Sequence, residues 1–134
     1  MDGIDMREIK FRGKSLKTGE WVYGNLIQMS SQGSQIYICS FNEGASSMSC
    51  KELVAYLMVG VDPKTVGQYT GLEDRYGSEI YEGDILQLYK NRSLIEKFKV
   101  VWNENGYWDC CVWFKNSEII GNIFDNPEIL ASST

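Results

Sequence analysis

Residues Thr65 to Leu86, TVGQYTGLEDRYGSEIYEGDIL, constrain the fold of this chain more than any other stretch. They set Gly67, Gly71, Gly77 and Gly83 among β-forming residues in the middle of the molecule. A chain broken this often by glycine cannot sustain a long helix, but it suits short strands joined by tight reversals. Gly67 reads as a bulge or a close backbone approach, and Gly71 closes its strand. The polar run Glu73-Asp74-Arg75 leads to Gly77, which takes a positive φ without steric penalty. Glu82-Gly83-Asp84 makes a second reversal. From Ile85 the chain reads as a strand, with Ile85, Gln87 and Tyr89 on one face and Leu86, Leu88 and Lys90 on the other.

The remainder supplies strands for this segment to pair with. Met6–Lys14 alternates Ile9 and Phe11 against Glu8, Lys10 and Arg12, a half-buried strand. A turn at Thr18-Gly19 leads to a second strand, Trp21–Met29, bent at Gly24. The two form an expected hairpin with a basic outer face. Gln35–Ser40 is a third strand. Ser49-x-x-Glu52 offers a capping box for a short helix from Cys50 to about Leu57, with a strand as the rival reading. A strand at Met58–Val61 follows. Ile95–Trp102 and Tyr107–Lys115 flank Asn103-Glu104-Asn105-Gly106, a strong hairpin signal. Ile119–Phe124 is a last strand, and Asn126-Pro127 caps one closing helical turn. The pattern predicts a mainly β fold, α+β at the margin: a barrel-like antiparallel sheet capped by a short helix.

At 134 residues the chain is expected to form one domain, or at most two intimately packed lobes. No apolar run approaches the ~20 residues that span a bilayer. MDGIDMREIK has no apolar core region of a secretory signal, so a cytoplasmic location with no membrane association is the expectation. The chain contains no histidine. That excludes Ser-His and Cys-His nucleophile pairs and His-based zinc motifs, and removes the usual general base near neutral pH. An enzyme is thereby demoted, leaving carboxylate, lysine or thiol chemistry as the remaining routes. Cys39, Cys50, Cys110 and Cys111 contain no C-x-x-C, and adjacent strand residues point to opposite faces, so no metal site is expected. Buried free thiols are the plainer reading.

Taken in order, REIKFRGK (Arg7–Lys14), WVYGNL (Trp21–Leu26), DPKTVGQYTGLEDRYGSEIYEGDIL (Asp62–Leu86) and IIGNIFDNPEIL (Ile119–Leu130) carry a recognisable signature. The chain resembles the YopX family of phage and prophage proteins along nearly its whole length. Gln28–Met58 carries no family motif. The resemblance implies a barrel-like β fold capped by a helix and a phage or prophage origin. It implies no known activity and carries over no catalytic residues, and no cofactor is expected. It also suggests Met6 as an alternative start, with Met1–Asp5 a loose extension.

Two groups of side chains could carry binding. Glu73, Asp74, Glu79, Glu82 and Asp84 concentrate negative charge. A cation site would need them to converge, whereas Asp beside Gly more simply serves the turn backbone. In a protein of net charge -5, basic residues gather at Arg7, Lys10, Arg12, Lys14 and Lys17, and again at Lys90, Arg92, Lys97 and Lys99. If those faces adjoin, they make a positive stripe for phosphates, with Tyr89 or Tyr107 available for stacking. The same lysines also serve to protect strand edges, and overall acidity repels nucleic acid. Strand 107–113 is apolar on both faces, which leads us to expect a homo-oligomer. The leading expectation is a non-enzymatic accessory protein that binds a host or phage protein. The alternative is a nucleic-acid binder using Lys90, Arg92, Lys97, Lys99, Arg12 and Lys14.

Overall fold

The computed structural model describes residues 8–29, 35–40, 58–91, 93–102 and 114–131. It is mainly β, as expected, with antiparallel strands and one short helix among the described residues. The described strands pair as open sheets rather than closing into a barrel. The chain divides into two compact units, Ile9–Gln68 and the part from Tyr69 onward.

In the first unit the hairpin forms between β1 (Phe11–Lys14) and β2 (Trp21–Met29), with Lys14 opposite Trp21 and Phe11 opposite Gly24. The turn follows from local chemistry. Ser15 N–H donates to Glu20 O, and Ser15 Oγ accepts from the amides of Lys17 and Thr18. Gly19 takes φ +74°. The first strand begins at Phe11 rather than Met6: Ile9 is 63% exposed, so it has no packing to hold it in a strand. β3 (Gln35–Cys39) pairs with β2, and β4 (Met58–Gly60) pairs with β3, as the Met58–Val61 reading anticipated. The helix expected over Cys50–Leu57 lies outside the described residues, as do the 103–106 turn and the strand over 107–113.

Among the described residues the core of this unit is built on Ile38, Cys39 and Val61. It closes only because β1 has no side chain at Gly13, where a Cβ would meet Val61 Cβ at 3.1 Å and Ile38 Cδ1 at 3.3 Å. Asp62 caps a 3₁₀ turn over Pro63–Thr65, its Oδ1 accepting from Lys64 N at 3.1 Å. Thr65 Oγ1 accepts from Lys14 N and donates to Asp62 O, so the turn is stitched to the end of β1.

β5 (Gly67–Glu73) starts against β1, Arg12 opposite Gly67, and continues into the second unit. Of the bulge or close backbone approach expected at Gly67, the bulge falls instead between Tyr69 and Glu73, where Gly71 has φ +85°. Thr70 Oγ1 donates to Ile80 O at 2.8 Å and accepts from Leu72 N, bridging the break in the ladder.

In the second unit β5 pairs with β6 (Glu79–Tyr81), and β7 (Asp84–Lys90) lies between β8 (Ser93–Lys99) and β9 (Ser117–Asn122). Ile80, Leu86 and Val100 form the core, fully buried and flanked by Leu72, Phe98 and Ile119. Each such aliphatic side chain contributes about 1.5–3 kcal/mol. Asp84 is the buried hinge of the Glu82-Gly83-Asp84 reversal: its Oδ2 accepts from Tyr81 N at 2.7 Å, and its carbonyl from Val100 N. The chain closes on the helix α1 (Glu128–Ala131) after Asn126-Pro127. Asn126 Oδ1 accepts from Asn122 N, reaching back to β9 as well as preceding the helix.

Candidate functional site

The β5–β6 turn is built around one carboxylate. Asp74 is 7% exposed. Its Oδ1 accepts from Tyr76 N at 2.9 Å and Ser78 N at 3.0 Å, and its Oδ2 from Ile119 N on β9 at 3.0 Å. Its own amide donates to Ser78 O, and Gly77, at φ +83°, donates back to Asp74 O. Arg75 N–H donates to Ser117 O, a second tie to β9. The turn is therefore pinned at both ends of its tip, and the residues it presents are Arg75 and Tyr76.

Both point outward, Tyr76 being 67% exposed. The Arg75 guanidinium carbon lies 5.3 Å from the centroid of the Tyr76 ring and 5.7 Å from that of Tyr89 on β7. Both distances fall within cation–π range. Among the described residues no carboxylate forms an ion pair with Arg75.

Tyr89 connects the turn to a face of the three-stranded sheet. On β7 it shares a side with Gln87, whose Nε2 donates to the Tyr89 hydroxyl. The hydroxyl in turn donates to Glu118 Oε1 on β9 at 3.3 Å. Gln87 stands opposite Lys97 on β8 and opposite Glu118 on β9, while Lys99 stands opposite Ile85. Paired residues share a face, so Lys97 and Lys99 lie on the same side as Gln87, Tyr89 and Glu118. Leu86, Leu88 and Phe98 take the other side, toward the core. Around Gln87 and Tyr89 this side is polar and aromatic and carries the cations Arg75, Lys97 and Lys99, while Ile85, in the same row opposite Lys99, is fully buried.

The structure sorts the sequence candidates. Lys97 and Lys99 are exposed and share that face. Lys90 is exposed at the end of β7 on the opposite alternation, beside the reversal at Asn91 (φ +51°). Arg92 lies outside the described residues. Arg12 and Lys14 belong to the first unit. Arg12 departs from the basic outer face anticipated for β1: it is 5% exposed, with its guanidinium carbon 4.6 Å from the Trp21 ring centroid. Lys14 Nζ lies 5.5 Å from the same ring. The two strands set Arg12 and Lys14 opposite Tyr23 and Trp21, so the cations pack on the indole rather than lining a groove.

Of the acidic block, Asp74 and Asp84 are buried and bonded to backbone amides, which is the turn role. Among the described residues no cluster of Cys, Asp and Glu could hold a metal ion. Cys39 is buried and free. An open cavity of about 380 Å³ in the first unit is walled by Leu16, Tyr37, Met58 and Val59. Ser15 and Lys17 also line it, and the Ser15 hydroxyl serves the β1–β2 turn. No described helix is long and apolar enough to cross a membrane.

Arg75 and Tyr76 were not singled out by the sequence reading, which counted their neighbours as an acidic block. The signal that could have found them is the position of Arg-Tyr between a turn-forming Asp74 and Gly77, where side chains must project away from the backbone ring.

Comparison with known proteins agrees with this architecture. A family profile described as YopX protein matches residues 10–131. The crystal structure of protein EF1440 from Enterococcus faecalis superimposes with a TM-score of 0.53 at 22% identity. The match covers 93% of this chain and 99% of that one. At that identity the likeness speaks for the fold alone. No curated protein matches the chain.

Proposed function

The chain belongs to the YopX protein family, and from that footing we propose that it is a non-enzymatic accessory protein of phage or prophage origin that works by binding another protein in the bacterial cytoplasm. The observation that carries this reading is the pinned turn presenting Arg75 and Tyr76 beside Tyr89. Tyr and Arg are enriched among the side chains that dominate protein–protein binding energy: Tyr brings large contact area on few rotors, and Arg brings a planar fork of directed donors. Here the turn fixes the backbone that carries them before any partner arrives, so less ordering entropy remains to be lost on association.

The test compares affinity capture from host lysate by the wild-type protein and by an Arg75→Ala/Tyr76→Ala double variant. Capture of a stoichiometric protein by the wild type that vanishes for the double variant supports the reading. Equal capture by both refutes it. Self-association belongs to the same proposal, since the partner surface could accept a second copy. A sedimentation profile that stays monomeric at micromolar concentration would refute that part.

A second reading is favoured by one observation, that Lys97 and Lys99 share the face of Tyr89. In it the face binds single-stranded nucleic acid, with phosphates on the lysines and bases on the rings. Retention on single-stranded DNA that falls steeply with salt and is lost in a Lys97→Glu/Lys99→Glu variant would favour it.

A further inference from the structure

We infer that the Arg75 face is a receptor for an acidic peptide segment, one of whose carboxylates seats on the Arg75 guanidinium. This rests on the protein-binding reading above and adds the chemistry of the partner.

The argument begins with the guanidinium. A planar guanidinium has two faces and a rim of five N–H donors. At Arg75, tyrosine rings lie at cation–π distance from it, contributed by Tyr76 of its own turn and Tyr89 of β7. A ring centre offers π density and no in-plane acceptor, so it does not satisfy the rim. Nor does a carboxylate of the described chain do so. The group is thus positioned by aromatic contacts while its directional donors stay available, an arrangement that matches a planar, bidentate acceptor.

The surroundings favour a carboxylate on a peptide. The exposed lysines of the face, Lys97 and Lys99, are reached through Gln87, whose row also contains Tyr89 and Glu118. An extended segment bearing several acidic residues could therefore meet Arg75 with one carboxylate and the lysines with others. Glu118 sits within that row, its Oε1 accepting from the Tyr89 hydroxyl. A nucleic acid presents an unbroken line of phosphates to this carboxylate, whereas a peptide can place a neutral residue there. The net charge of -5 also repels a polyanion at long range more strongly than a short acidic segment.

The experiment is fluorescence anisotropy with a short labelled poly-glutamate peptide containing interspersed glycine. A poly-lysine peptide and a single-stranded oligo-dT serve as comparison probes, all at low and at physiological salt. The expected result is binding of the acidic peptide that weakens with salt and falls roughly tenfold in Arg75→Ala. Arg75→Lys keeps the charge but not the fork, so it should recover only part of the loss. Because Arg75 is exposed, both variants should melt with the wild type, and the melting curve is recorded for each. Equal affinity of wild type and Arg75→Ala for the acidic peptide overturns the inference. So does absence of binding to it, or tighter Arg75-dependent binding to oligo-dT. The reading beneath it fails separately: lysate capture that depends on Arg75 and Tyr76, without acidic-peptide binding, leaves protein binding standing and removes only the acidic partner.

Discussion

Replacing Asp74 by Asn is the sharpest perturbation of the turn that presents the candidate site. The carboxylate uses both oxygens as acceptors, Oδ1 for the amides of Tyr76 and Ser78 and Oδ2 for that of Ile119. An asparagine has one acceptor oxygen and, in place of the other, an NH₂ group that only donates. If its oxygen serves the turn, its NH₂ opposes the Ile119 N–H; if it is reversed, the NH₂ opposes the amides of Tyr76 and Ser78. Hydrogen bonds to charged acceptors are worth about 1.5–3 kcal/mol each. Tyr76 and Ser78 are exposed and can recover solvent, whereas Ile119 is half-buried, so the losses are unequal. The expected net cost is about 2–3 kcal/mol, a fall in Tm of roughly 6–12 °C for a chain of this size. Thermal and urea unfolding measure the total. Amide exchange by NMR reads the orientation, through loss of protection either at Ile119 or at Tyr76 and Ser78. An Asn variant that melts within about 2 °C of the wild type would refute the claim that this carboxylate holds the turn.

Other expectations follow from single positions. A Cβ at Gly24 would lie 2.2 Å from the backbone oxygen of Cys39, so Gly24→Ala should destabilise by at least about 3 kcal/mol, seen as a lowered urea midpoint or lost soluble yield. Gly121→Ala would bring a methyl within 2.6 Å of Asn126 Oδ1. It should displace the bond to Asn122 N and cost about 1–2 kcal/mol, with amide exchange rising at Asn122. Arg12→Ala should cost about 1–3 kcal/mol and shift the fluorescence contributed by Trp21, because a buried guanidinium and its stem are removed from the indole. Lys97→Glu/Lys99→Glu should leave the melting temperature within about 2 °C of the wild type, since both side chains are exposed.

Much of the fold was legible because it rests on short-range chemistry. Asp74 to Gly77 and Glu82-Gly83-Asp84 each act within a few residues: a side-chain oxygen meets a nearby amide, or a glycine takes a positive φ. The alternation of β7 likewise named its faces before any partner strand was known, and Leu86 and Leu88 do turn inward. The reach of strands was less legible. Phe11 marks the start of β1 because pairing begins there, although the alternation runs back to Met6.

What the amino-acid order determined by itself, then, was where the chain reverses and which residues of a strand share a side, since both follow from bonds and sterics along a few neighbouring peptides. Tertiary structure decided what those sides meet. Arg12 and Lys97 look alike as lysine- and arginine-rich strand positions, yet antiparallel pairing buries the first beneath Trp21 and leaves the second exposed beside Gln87. The local pattern sets Arg75 at the tip of its turn, but only the tertiary structure brought Tyr89 of β7 within reach of its guanidinium, a contact that no local pattern encodes.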